Sequence, residues 1–382
     1  MGRVSVNIEI LQWALERSNR SPDELEKRFP QIKRWLSGEL KPTLNQLKSF
    51  AKATYTPFGF FFLRQPPEEK LPFTHFRTYK ELPRKPSLEL LDTVKIIKRR
   101  QEWIKEFLIE EGYSPLPYVN SVKLGDTAEF VAQKIRETLG FEKNWASKLS
   151  SWKDALQFLR NEMQKIGIFV VFNSVVENNP HRKLNPEEFR GFVLVDDYAP
   201  FVFVNSSDAL AAQMFTLAHE LAHIFYGVSA SFDLRELFPA DDPIEIICNK
   251  VAAEFLVPKE ELLNLWSFVF TTKEPFQEIA RKFKVSEIVI ARRALDLKLI
   301  KKSEFLEFYK EYLRKERKKI KKVGGDFYKN QDLRVGEKFA TAVAIAVEEG
   351  KLLYSEAFRL TGLYGRTFDK YISYLKRRGL IV

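Results

Sequence analysis

Two of the chain's four histidines, His219 and His223, stand four residues apart inside an apolar run from Ala211 to Tyr226. The pattern, closed by Gly227, predicts a strong helix running to Tyr226. Four residues is slightly more than one turn, so both imidazoles leave the same face of that helix. Buried imidazoles need partners. A zinc ion is one such partner, because it accepts two ring nitrogens at about 2.0–2.1 Å each. Glu220 is rotated around the helix from both rings, where it does not ligate but can take a proton from an attacking water. The competing reading is a pair of core histidines held by ordinary hydrogen bonds, with Glu220 at the surface.

A hydrolytic metal site needs a third protein ligand and one open position. The acids downstream are Glu236, Asp241, Asp242, Glu245 and Glu254. Glu245 is favoured because it starts the next expected helix, whose antiparallel return would bring it under the two rings. Asp242-Pro243-Ile244-Glu245 is also a helix N-terminus with Glu at the capping-box position, and spacing alone does not separate ligand from cap. Cys248, inside the same apolar segment, reads as core. His181, Arg190, Tyr198 and Tyr226 are candidates for stabilising an oxyanion, each with a structural alternative.

With 382 residues, two or three domains are expected. Hydrophobic residues at 45% and charged residues at 30% exclude a disordered chain, and the patterning predicts a mainly helical α+β protein. The net charge of +11 is compatible with nucleic acid or an acidic protein as partner. A single cysteine excludes an intramolecular disulfide and fits a reducing cytoplasm. No apolar run is long enough to span a bilayer, so no membrane association is expected.

The expected order is a helical domain over 1–65, a Pro-rich linker over 66–86, a larger domain over 87–313, a basic linker over 314–325 and a helical unit over 326–382. In the first, Ser21-Pro22-Asp23-Glu24 is a helix start, Phe29-Pro30 a break, Gln31–Leu36 a short helix and Pro42-Thr43 the opening of another. If this is a helix-turn-helix domain, Lys33 and Arg34 face DNA; a degenerate docking module is the other reading. In the larger domain, helices are expected over Leu88–Glu111, Thr127–Leu139 and Trp152–Lys165, followed by strands over Ile168–Phe172, Gly191–Val195 and Phe201–Val204. The last two form a hairpin whose edge could pair with an extended peptide. Asn205–Asp208 caps the histidine helix, and 274–300 resembles a second helix-turn-helix or winged-helix fragment.

Residues 190–258 resemble the ImmA/IrrE metallopeptidase family, a gluzincin-like group. The resemblance lies in Arg190–Val195 (RGFVLV), Ala199–Asn205 (APFVFVN), Ala211–His223 (AAQMFTLAHELAH) and Glu245–Pro258 (EIICNKVAAEFLVP). It implies Zn2+ as cofactor, Glu245 as third ligand beside His219 and His223, Glu220 as catalytic residue and Asn249 as a support for the ligands. Cys248 and Val251 depart from the family's usual residues at positions that are not ligands. Residues 1–65 look like the XRE-type helix-turn-helix that precedes this peptidase in fusion proteins, and Phe76-Arg77-Thr78 and Gly324–Tyr328 (GGDFY) are similar to further segments of such fusions.

The implied fold is an N-terminal helix-turn-helix bundle, a peptidase domain with a small sheet packed on the histidine helix, and a small helical C-terminal unit. The implied function is a zinc endopeptidase that cleaves a regulatory protein, coupled to DNA-binding control of transcription. The alternative is a non-proteolytic, antitoxin-like repressor that binds a partner toxin and DNA. A homodimer is compatible with the sequence.

Overall fold

The computed structural model describes residues 2–18, 20–69, 86–232, 242–315 and 326–381. These divide into two compact units, the first reaching from the N-terminal residues to Asp92 and the second starting at Thr93. The acids Glu236 and Asp241, the Phe76-Arg77-Thr78 segment, Gly324-Gly325 and most of the basic linker lie outside the described residues.

The first unit consists of short helices, Ile8–Arg17, Pro22–Glu26, Ile32–Leu36 and Leu44–Ala53, with a 3-10 turn at Phe58–Phe62. Reciprocal side-chain capping starts two of them. Ser21 and Glu24 form a reciprocal capping box, as do Thr43 and Gln46. Leu11, Ile32, Trp35, Leu47, Phe50 and Phe61 make the core. Trp35 therefore faces inward on the helix that carries Lys33 and Arg34.

The second unit is built around a four-stranded sheet of β1 (Phe169–Asn173), β4 (Gly191–Leu194), β5 (Phe201–Asn205) and β6 (Ala230–Phe232), in the order β1-β5-β4-β6. β1 runs parallel to β5, and β4 runs antiparallel to both β5 and β6. A separate two-stranded ladder pairs β2 (Val175–Val176) with β3 (Asn179–Lys183).

β1, β4 and β5 are buried along their whole length, so both faces of the sheet are covered. Side chains alternate between them. Val170, Phe172, Val193, Val202 and Val204 join the core that includes Met214, Leu217 and Leu221 of the helix Leu210–Tyr226. On the other face the rings of Phe169 and Phe201 stack, and Phe339 of the helix Glu337–Glu348 meets Phe201 edge-on. Gln101, on the helix Leu88–Glu110, donates to the carbonyls of Leu194 (2.7 Å) and Ala199 (3.0 Å) and so ties that helix to the hairpin turn.

The protein is thus mainly helical α+β, with a small mixed sheet on the histidine helix. Two expectations are corrected. The β4–β5 hairpin is not an edge: β1 lies beyond β5, and β6 lies beyond β4. Asn205–Asp208 does not cap the histidine helix through a side chain; its N-cap is Ala209, and Gln213 reaches back to the Asp208 carbonyl at 2.7 Å. Asn205 accepts instead from the Ser207 N–H within the turn, at 3.1 Å. No helix among the described residues is long and apolar enough to cross a membrane.

Candidate metal centre

Gln213 to Tyr226 are all buried, because the helix Leu210–Tyr226 has the sheet on one side and the helices Trp152–Lys165 and Pro243–Leu256 against it. Gly227 ends it in the left-handed conformation (φ 74°) that glycine adopts without strain, its N–H returning to His223 and Ile224. One turn apart on this rigid element, His219 and His223 bring their Nε2 atoms to 3.0 Å from each other.

The third member comes from the helix Pro243–Leu256. Glu245 Oε2 lies 3.2 Å from His219 Nε2, and Oε1 lies 3.3 Å from His223 Nε2. Asp242 caps this helix, accepting from the Ile244 N–H at 3.0 Å, and the Glu245 carboxylate turns to the two rings. His219, His223 and Glu245 are the one group among the described residues whose donor atoms gather as a metal site would require.

The donor set fits a zinc-sized ion. Ligands at about 2.0–2.1 Å in a tetrahedron stand about 3.3 Å from one another, close to the separations found here. Burial works against charge on Glu245, but hydrogen bonds and charge from the two imidazoles outweigh it and hold its carboxyl far below the ordinary range. Burial lowers the His219 pKa and so favours the neutral ring that a metal needs, although Glu245 and Asn249 pull the other way. Asn249 lies one turn beyond Glu245 on the same helix.

Glu220 is fully buried, and among the described residues neither carboxylate oxygen has a hydrogen-bond partner. Burial first, and the charge of Glu245 second, raise its pKa well above the usual value. It lies against the start of β4, where a β-carbon on Gly191 would sit 3.4 Å from Glu220 Oε1. An isolated buried carboxylate is costly, and no contact among the described residues accounts for it.

The other candidates are placed elsewhere. Glu254 forms a buried ion pair with Arg293 and accepts from the Lys259 N–H, which removes it as a ligand. Cys248 is core, its thiol pushed well up by burial. Of the oxyanion candidates, His181 is exposed on β3, Arg190 pairs with Asp208 at 2.7 Å, and Tyr198 is half-buried in the β4–β5 turn. Tyr226 is buried, and its hydroxyl has no hydrogen-bond partner among the described residues. In the first unit, Lys33 is held by Asp23 (2.9 Å) and Glu26 (3.0 Å), and Arg34 stands 3.4 Å from Glu39.

Residues 163–295 match the model of peptidase family M78, described as the IrrE N-terminal-like domain. This stretch is a metallopeptidase domain. The match encloses β1 to β6, both helices that supply the metal-binding group and the helix Pro275–Phe283, and it ends one residue before the close of Glu287–Asp296. Residues 335–373 match a domain of unknown function, DUF8813. No curated protein matches the chain. The IrrE-like domain accounts for the buried His-His-Glu group, and the chain is a metallopeptidase by that domain and its triad.

Proposed function

We propose that the chain is a zinc-dependent endopeptidase that cleaves a regulatory protein partner in the cytoplasm, coupled to DNA-linked control of transcription. The observation that carries this reading is the buried Glu220 carboxylate, without a hydrogen-bond partner among the described residues, beside the His219–His223–Glu245 group. A binding protein that only held a partner would have no use for that carboxylate, and it would be more stable with a neutral or apolar side chain there. This weighs against the antitoxin-like alternative.

His219, His223 and Glu245 would hold the ion, with Asn249 orienting His219. When bound, zinc polarises a peptide carbonyl and makes water more acidic. Glu220, with its raised pKa, takes a proton from the attacking water and returns it to the leaving amine. Gly191 leaves room for that carboxylate, since any side chain there would crowd it.

Glu220→Gln tests the reading. The variant is expected to retain one zinc per chain by metal analysis and to lose cleavage by about 100-fold or more. Because it would hold its substrate uncut, a pull-down with it followed by mass spectrometry should recover a protein that the wild type returns as fragments. Equal cleavage by wild type and variant would remove Glu220 from the chemistry. A partner recovered intact with both would favour the non-proteolytic alternative.

A further inference from the structure

The C-terminal part of the second unit carries a set of cations unlike those of the first. Three helices, Glu337–Glu348, Tyr354–Thr361 and Arg366–Arg377, follow one another, and the turn Gly362–Gly365 joins the last two. The third helix buries Phe368, Tyr371 and Leu375. Its opposite face exposes Arg366, Lys370, Ser373 and Arg377. At 100° per residue these four lie within an arc of about 60°, one above another.

Arg366, Lys370 and Arg377 make no ion pair among the described residues. Their neighbours do: Lys376 with Glu348 at 2.6 Å, and Arg378 with Asp332 and Glu337 at 2.7 Å each. Acids are therefore available to this helix and are spent on the flanking cations, while the stripe stays open. Asp369 stands at its edge, and Tyr364, in the turn before the helix, is 63% exposed. By contrast, Lys33 and Arg34 in the first unit would have to leave Asp23, Glu26 and Glu39 to meet a phosphate.

We propose that the exposed face of Arg366–Arg377 is a contact surface for double-stranded DNA, with this helix seated in the major groove. A B-form major groove, about 12 Å wide, admits a helix, whereas the A-form RNA groove is too narrow for one. Unpaired cations release condensed counterions from the phosphates without first breaking an internal ion pair. A helix reached through a short turn from a shorter helix is the arrangement by which helix-turn-helix proteins present a reading helix. The surface lies outside the metal centre and does not depend on the peptidase reading.

The test is fluorescence anisotropy of the full-length protein on a labelled mixed-sequence duplex of about 30 base pairs across a salt titration. The triple variant Arg366→Ala, Lys370→Ala, Arg377→Ala should bind at least about tenfold more weakly near 0.1 M salt, with the log–log salt slope shallower by about 2–3. The double variant Arg366→Lys, Arg377→Lys should keep the wild-type slope, which separates lost charge from lost folding. Lys33→Ala with Arg34→Ala should leave the slope unchanged. The proposal is overturned if the triple variant matches the wild type, if the wild type ignores the duplex at low salt, or if an RNA duplex is bound more tightly than the DNA.

Discussion

Glu245 had two uses open to it, as a helix cap or as a ligand, and its neighbour settles which one it takes. Asp242 satisfies the first turn through the Ile244 N–H, so the Glu245 carboxylate is free to reach the two imidazoles. Gly191 is constrained as tightly. A β-carbon there would meet Thr216 Cγ2 at 2.5 Å and the Phe203 carbonyl oxygen at 2.8 Å, and the latter is strand backbone that cannot swing aside. Gly191→Ala is expected to cost about 1–3 kcal/mol, read as a lowered unfolding midpoint, and to depress cleavage by displacing Glu220. An alanine variant as stable and active as the wild type would show that the sheet yields there.

At the scale of elements, the centre depends on two helices keeping their relative position. The helix Pro243–Leu256 is fixed at its far end, where Arg293, from the helix Glu287–Asp296, pairs with Glu254, and Arg136, from the helix Ala128–Leu139, donates to the Glu254 carbonyl. Both partners of the Arg293–Glu254 pair are over nine-tenths buried. Arg293→Leu would strand Glu254 without its counter-charge, at a cost of about 3–5 kcal/mol in chemical denaturation. A loss below about 1 kcal/mol would mean that water or a rearranged Arg136 replaces the guanidinium.

Most helices were legible in the sequence, because Ser21, Thr43, Thr127, Asp242 and Gly227 mark their ends by local chemistry. β6 was not: it has three residues, and only its pairing with β4 makes it a strand. The β2–β3 ladder escaped for a similar reason, since β3 (NPHRK) has no alternating apolar pattern.

For the molecule as a whole, an ion that binds only the folded chain adds to its stability by mass action. Stripping a zinc-loaded preparation with a chelator should lower the thermal midpoint, and zinc should restore it. At a free ion concentration about 1,000-fold above Kd the contribution is about 4 kcal/mol. His219→Ala should unfold at one temperature with or without zinc. A midpoint that ignores the chelator in wild type shown to have lost its metal would mean that folding alone, and not the ion, holds the two imidazoles and Glu245 together.

The histidine spacing, the capped helix ends such as Ser21, Thr43 and Asp242, and the candidate acids were set by the sequence alone, because each depends on residues within one or two turns of one another. Tertiary structure decided between Glu245 and Glu254, which differ little in kind but face a pair of imidazoles in one case and a guanidinium in the other. It also placed β6 beyond β4, and it separated the neutralised cations of the first unit from the open stripe on Arg366–Arg377. Each of these outcomes depends on which charge or hydrogen-bonding edge arrives from a distant part of the chain, and local propensity carries no record of that.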